Sequence, residues 1–217
     1  MRCAYLWGAK RRTLSTIVVF ACFSWLGIYL TPGPALARTS GAQRLELLAG
    51  SENARPVMLS TDTTCWLYPH MRVWVKPRPE AAGQVIFASP SQADCQVLPA
   101  PLPELGELAS FYQGKVGSYL IIDQGTGPSR RHLRIWDWRR QKWSYSATYE
   151  APLLLKGGRL SVWETQSEPA TAANCSEYAK IIAQGFSPSL QQLKIINLRA
   201  TPLSQPVLRQ KRCQATQ

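Results

Sequence analysis

The chain is poor in the residues from which most catalytic centres are built. Among 217 residues there are two histidines, His70 and His132, and 13 acidic side chains against 25 lysines and arginines. It has no G-x-S-x-G, no C-x-x-C and no glycine-rich loop opening a helix. These absences remove the signatures of a serine-hydrolase elbow, a dithiol or zinc centre and a phosphate cradle. Neither histidine stands at ligand spacing from a cysteine, so no metal and no cofactor is expected. No repeat with a period of roughly 20–50 residues is visible, which argues against a solenoid or a complete propeller. After Leu30 there is no long apolar run, so nothing beyond it reads as a membrane-spanning helix.

What the chain does have begins at its start. Lys10-Arg11-Arg12, an apolar run from Thr13 to Leu30, a Thr31-Pro32-Gly33-Pro34 break and Ala35-Leu36-Ala37 follow the order of a secretory signal peptide with a small-x-small cleavage site. Residues 1–37 are read as that leader, which makes the protein exported, periplasmic or extracellular, after cleavage near Ala37. Uncleaved, the 18 residues from Thr13 to Leu30 would just reach the lower limit for an N-terminal membrane anchor. Val19-Phe20-Ala21-Cys22 loosely matches a lipoprotein box, and Arg11-Arg12 a twin-arginine signal. Cleavage leaves 180 residues with a formal charge of +8, the size of one domain or two small ones. That charge favours an anionic envelope polymer, lipid head groups or an acidic exported protein as partner. Nucleic acid is not expected outside the cytoplasm, and membrane contact only if the leader is retained.

Four cysteines follow the leader, Cys65, Cys95, Cys175 and Cys213. In an oxidising compartment they suggest two bridges with three possible connectivities. The pairs Cys65–Cys95 and Cys175–Cys213 are favoured because each lies within one half of the chain, and such bridges are worth about 3–4 kcal/mol each by loop entropy.

The halves divide at a proline-rich segment, 99–109, containing Pro99-Ala100-Pro101-Leu102-Pro103, which reads as a linker or an edge-hugging loop. Before it, 38–98 forms an N-terminal β subdomain with short strand-like runs at Arg44–Leu48, Val57–Leu59, Cys65–Leu67, Met71–Val75, Val85–Ala88 and Gln96–Leu98. Arg72-Val73-Trp74-Val75-Lys76-Pro77-Arg78-Pro79 followed by Gly83-Gln84-Val85-Ile86 resembles the strand, turn and strand of bacterial SH3-like modules. After it, 110–217 reads as an antiparallel β-meander subdomain, with strands at Ser118–Asp123, Leu133–Trp138, Trp143–Tyr149, Leu153–Leu155, Leu160–Trp163 and Leu193–Arg199. Gly157-Gly158 supplies a tight hairpin turn. A helix is expected from about Cys175 to Gln184, with Asn174 as N-cap, Glu177 reaching back and Gly185 closing it. Asn174-Cys175-Ser176 also fits a glycosylation sequon. The fold class is therefore mainly β, antiparallel meander sheets with one C-terminal helix, braced by disulfides.

Leu120-Ile121-Ile122-Asp123-Gln124-Gly125-Thr126-Gly127 resembles the apolar-apolar-Asp-Thr-Gly-Thr element of aspartic proteases. It departs from that pattern at Gln124, and no second copy occurs in the chain. The resemblance implies that Asp123 would share a proton with a second such carboxylate. An exported hydrolase built on Asp123 with the scattered acids Asp137, Glu150 and Glu164 is accordingly one reading of the chain. A second is a protein inhibitor or structural partner in the envelope. The favoured reading is a non-enzymatic binding or accessory protein, resting on the basic and aromatic run Arg130, Arg131, Arg134, Trp136, Trp138, Arg139, Arg140, Lys142 and Trp143. If Leu133 and Ile135 face the core, alternation turns Arg134, Trp136 and Trp138 outward. Such a face could stack on sugar rings or head groups while guanidinium groups pair with phosphates or carboxylates. Alternatively the tryptophans bury under a second sheet layer, with arginines covering them.

Overall fold

The computed structural model describes residues 47–90, 92–103, 105–127, 129–205 and 210–216. The leader and anchor readings over 1–37 lie outside the described residues, as do residues 44–46 of the first expected strand. Two antiparallel meanders make up the fold. Strands β1 (Arg55–Met58), β2 (Thr64–Tyr68), β3 (Met71–Pro77) and β4 (Gln84–Pro90) form a four-stranded sheet in chain order. Strands β5 (Ser110–Val116), β6 (Tyr119–Gln124), β7 (Arg131–Asp137), β8 (Lys142–Lys156), β9 (Arg159–Thr165), β10 (Ser187–Asn197) and β11 (Lys211–Thr216) form a seven-stranded sheet, also sequential. The short helix α1 (Tyr178–Ala183) lies between β9 and β10. Both disulfides form, Cys65–Cys95 and Cys175–Cys213. Among the described residues no helix is long and apolar enough to cross a membrane.

The seven-stranded sheet folds over on itself in β8. This strand pairs with β7 through its first half and with β9 through its second, and its register shifts between Glu150 and Leu154. Irregularities of this kind let one strand turn a corner between two layers. The result is a core in which Tyr119, Ile121, Leu133, Ile135 and Tyr149 from the first half meet Leu153, Leu155, Leu160, Val162, Ile196 and Leu198 from the second. The opposite face of β5–β7 supplies Tyr112, Leu120, Ile122 and Trp136 to another core, shared with Trp66, Tyr68, Met71, Val73, Val75 and Ile86 of the four-stranded sheet. Every residue of β6 is buried, which is why Tyr119-Leu120-Ile121-Ile122 reads as a continuous apolar run. The proline-rich segment runs along the edge of β4. The Leu102 N–H donates to Ile86 O at 2.8 Å, and Leu102 and Leu105 sit in the core that the two sheets share.

The double burial corrects the expected outward face. Arg134 and Trp136 do share a face, but the four-stranded sheet covers it, and Trp136 is only 2 % exposed. Trp143 joins them there because the register slips between Ile135 and Trp136, pairing Trp136 with Trp143 and passing over Ser144. Strict alternation would have kept Trp143 with Tyr145 and Tyr149 on the other side. The two tryptophan rings meet edge to face at 4.9 Å, and the Arg134 guanidinium lies 3.8 Å above the Trp143 ring.

Other departures have local causes. Gln96–Leu98 is not a strand: the Asp94 carboxylate accepts the Gln96 N–H at 3.0 Å, and the Val97 N–H bonds Asp94 O at 3.1 Å, closing a turn around Cys95. The helix begins only at Tyr178, and Asn174 does not cap it. The Asn174 amide oxygen instead accepts from the Thr171 N–H at 2.7 Å, holding a preceding turn. Its C-terminus is as expected, with Gly185 at φ 78° and the Phe186 N–H reaching back to Ile181 O at 3.1 Å. Strand β5 is additional to the expected strands, and Gly114 forms a bulge in it. There φ is 131°, and a Cβ would come within 2.7 Å of Ser51 Cβ, so the bulge and the close approach both require glycine. The edge strand β11 is mostly polar, the usual character of an unprotected edge.

Burial of Trp136 leads to a definite expectation. Replacing it with Ala should cost about 3–5 kcal/mol in urea unfolding of the oxidised protein, whereas a loss below about 1 kcal/mol would contradict its place in the shared core.

Candidate functional site

Most of the basic and aromatic run is engaged inside the protein. Arg131 holds Asp123 from two directions, with Nε at 2.9 and 2.8 Å from the two carboxylate oxygens and Nη2 bonded to Oδ2, while Nη1 donates to Gly127 O at 3.2 Å. Asp123 is buried, and the group paired with its carboxylate is the Arg131 guanidinium. Tyr149 packs beside this pair, and burial, with the Asp123 charge second, raises its phenol well above the ordinary value. Arg140 pairs with Asp137 at 3.4 Å. Trp138 is half-buried against the shared core, and Trp143 Nε1 donates to Pro103 O at 3.2 Å. Of the nine residues, Arg130, Arg139 and Lys142 keep exposed side chains with no ion pair among the described residues. Arg130 stands at the opposite end of β7 from Arg139.

Arg139 opens onto a cleft of about 490 Å³. Four connections converge there: the β5–β6 turn at Gly117-Ser118, the β7–β8 turn at Arg139, the β8–β9 turn at Gly158, and the chain leaving β10 at Leu198-Arg199 and Thr201. The wall is completed by residues 50–53, part of a strap along β5 in which Leu48 N–H donates to Gln113 O at 2.7 Å and Glu52 N–H to Lys115 O at 2.8 Å. The cleft thus lies where the two halves of the folded sheet meet, with buried Val116 and Leu198 of their common core in its lining.

Two arginines line this cleft, and each is carried on the same kind of turn. The Asp137 carboxylate accepts the Arg139 N–H at 3.0 Å and the Arg140 N–H at 3.2 Å. The Asn197 side chain accepts the Arg199 N–H at 3.0 Å. In both cases an Asp or Asn two residues upstream fixes the backbone by side-chain hydrogen bonding. The β7–β8 turn is tied to the neighbouring hairpin by Trp138 N–H to Ser118 O at 2.9 Å, and Leu198 N–H bonds Gly158 O at 2.9 Å. Arg199 lies across Gly158, where φ is 77° and a Cβ would come within 2.6 Å of Arg199 Nε. Both guanidinium groups are without an acceptor among the described residues. The lining also holds Glu52, whose carboxylate accepts from Lys115 Nζ and from Gly117 N–H at 2.5 Å, and the polar side chains of Asn53, Ser118 and Thr201. Two backbones fixed in advance and two unpaired guanidinium groups suit a carboxylate or phosphate.

Arg199 had no signal of its own in the sequence, since it is remote from Arg139 and only the fold-over joins them. The Asx pattern, Asp137-Trp138-Arg139 and Asn197-Leu198-Arg199, is legible once both are known to end strands.

His132 is half-buried, with Nε2 2.8 Å from Ser146 Oγ. Burial, then the Arg134 charge, lowers its pKa. The charged neighbour is therefore a cation, whereas the orienting group of a serine-histidine nucleophile is a carboxylate. Comparison with family models, curated proteins and solved structures finds no match to this chain.

Two outcomes follow from these pairings. Asp123→Asn leaves Arg131 without its anion and should lower stability by about 3–5 kcal/mol in chemical denaturation; an unchanged midpoint would show the pair to be dispensable. A proton NMR titration should place His132 below 6.5. The fold then favours the neutral imidazole, so this group's contribution to stability is complete above about 6.5 and is lost as pH falls from there through the lower folded pKa. A midpoint at or above 6.5 would contradict its burial beside Arg134.

Proposed function

We propose that the protein is an exported, non-enzymatic binding protein that takes an anionic group of a cell-envelope component in the cleft between Arg139 and Arg199. The observation that carries this reading is the pair of arginines lining one cleft, on backbones fixed by Asx turns, their guanidinium groups without an acceptor among the described residues. Charge-assisted hydrogen bonds to such an anion are the strong class, about 1.5–3 kcal/mol each. The surplus of cations supports attraction toward anionic polymers and head groups over a longer range. The two disulfides suit an oxidising compartment, in line with the leader read over residues 1–37. The tryptophans of β7 and β8 act as internal packing in this reading, and recognition moves from the sheet face to the end of the sheet.

The test is retention of the oxidised protein on isolated envelope fractions of its host at low and high salt. Retention should fall steeply with salt, and Arg139→Ala or Arg199→Ala should weaken it by about ten- to a hundredfold, while Lys180→Ala on α1 leaves it unchanged. Absence of retention at low salt, or retention indifferent to both arginines, would overturn the proposal. Salt-insensitive retention would favour a dry protein interface, as of an inhibitor or structural partner.

A further inference from the structure

Resting on that reading, we infer that the anion is carried by a sugar: the cleft is shaped for a single hydroxylated ring bearing one phosphate or carboxylate. Size is the first argument. A water molecule takes about 30 Å³ of liquid volume, so a bare anion would occupy only a small part of about 490 Å³. The cleft instead falls in the range of small-molecule sites.

The lining sets the chemical class. Its apolar side chains, Val116 and Leu198, are 5 % and 1 % exposed and belong to the core beneath, so an acyl chain would gain little apolar contact and would desolvate the polar wall. Among the described residues no aromatic side chain lines the cleft, so the groups on hand to fix a ligand are hydrogen-bonding ones. Asn53, Ser118 and Thr201 offer both donors and acceptors, which is what ring hydroxyls require.

Glu52 is the discriminating group. Its two oxygens each hold one hydrogen bond, from Lys115 Nζ and Gly117 N–H, and a carboxylate offers about four lone-pair sites. About two therefore remain for donors on a ligand. A densely charged polyanion would meet this carboxylate as a like charge, whereas a sugar hydroxyl can donate to it. Cations and a carboxylate in one cleft thus match a ligand with an anionic group at one end and hydroxyls at the other. The polymer end and the head group of a glycolipid share that chemistry.

Isothermal titration of the full chain, with both disulfides formed, compares glucose 6-phosphate, glucuronate, glucose and inorganic phosphate. The anionic sugars should bind at least about tenfold more tightly than either glucose or inorganic phosphate. Arg139→Ala and Arg199→Ala should each weaken that binding by about ten- to a hundredfold. Glu52→Gln should remove most of the preference for glucose 6-phosphate over inorganic phosphate. Because Glu52 also partners Lys115, Asn53→Ala and Thr201→Ala provide a second reading: each should weaken the sugar phosphate several-fold and leave inorganic phosphate unchanged. Equal affinity for glucose 6-phosphate and inorganic phosphate would overturn the sugar while leaving the anion site standing. Anionic sugars bound indifferently to both arginines would overturn the placement in this cleft, and binding of no anion at all would remove the site itself. Vesicles that carry a phosphorylated glycolipid separate the sources: retention on them, competed by glucose 6-phosphate, assigns the head group, and release from envelope fractions by glucose 6-phosphate without retention on vesicles assigns the polymer.

Discussion

Strands β6 and β7 are covered on both faces, by the four-stranded sheet on one side and by the folded-over half of their own sheet on the other. A strand in that position has no solvent face, so both alternating sets of side chains must be apolar or paired. Leu120, Ile122 and Trp136 fill one core while Tyr119, Ile121, Leu133 and Ile135 fill the other, and burying each aliphatic member is worth about 1.5–3 kcal/mol. The corner in β8 that produces the second cover also determines where the two halves of the sheet meet. The cleft is the opening left at that meeting.

The same double burial explains how charge is distributed. Acidic residues are scarce, and three of them pair with cations around the doubly covered strands: buried Asp123 with Arg131, buried Asp137 with the exposed Arg140 of the following turn, and the partly exposed Glu52 of the strap with buried Lys115. Arg134 finds the face of Trp143, which accepts a cation with less desolvation cost than an apolar wall would impose. Beyond these pairs, arginines at the ends of the strands face solvent with no ion pair among the described residues. Arg139 and Arg199 are of this kind, and they differ from scattered surface cations in having backbones already fixed. Ordering them on binding therefore costs less conformational entropy than ordering free loops.

Much of this architecture was legible in the sequence, for physical reasons that can be named. The meander follows from short apolar runs separated by turn residues, and each disulfide links cysteines in its own half of the chain. What could not be read was which faces are covered. Alternation along β7 separates Leu133 and Ile135 from Arg134 and Trp136, yet it contains no information about a second sheet, so an inward tryptophan and an outward one look the same. The slip at Ser144, which moves Trp143 to the face of Trp136, depends on twist and packing across the sheet and has no glycine or proline to mark it. Strand β5 has no counterpart among the expected strands, and the fold uses its Gly114 for a bulge against Ser51.

The candidate site was half legible, and the missing half shows what kind of site it is. Arg139 lies in a conspicuous basic turn, but its counterpart enters from the far end of β10 and is brought in only because β8 turns its corner. A site assembled from four connections and a strap depends on the whole sheet in a way that a contiguous motif does not. Each connection is short and anchored by backbone hydrogen bonds to its neighbour, Trp138 to Ser118 and Leu198 to Gly158. The cleft should therefore be rigid in the sense that its groups cannot separate without opening the ladder behind them. Rigidity matters for an amphoteric lining. Glu52 is held on Lys115 and the Gly117 N–H, so its carboxylate is kept from swinging across to the arginines, and in the proposed reading these separated charges are what a ligand with an anionic group and hydroxyls would bridge.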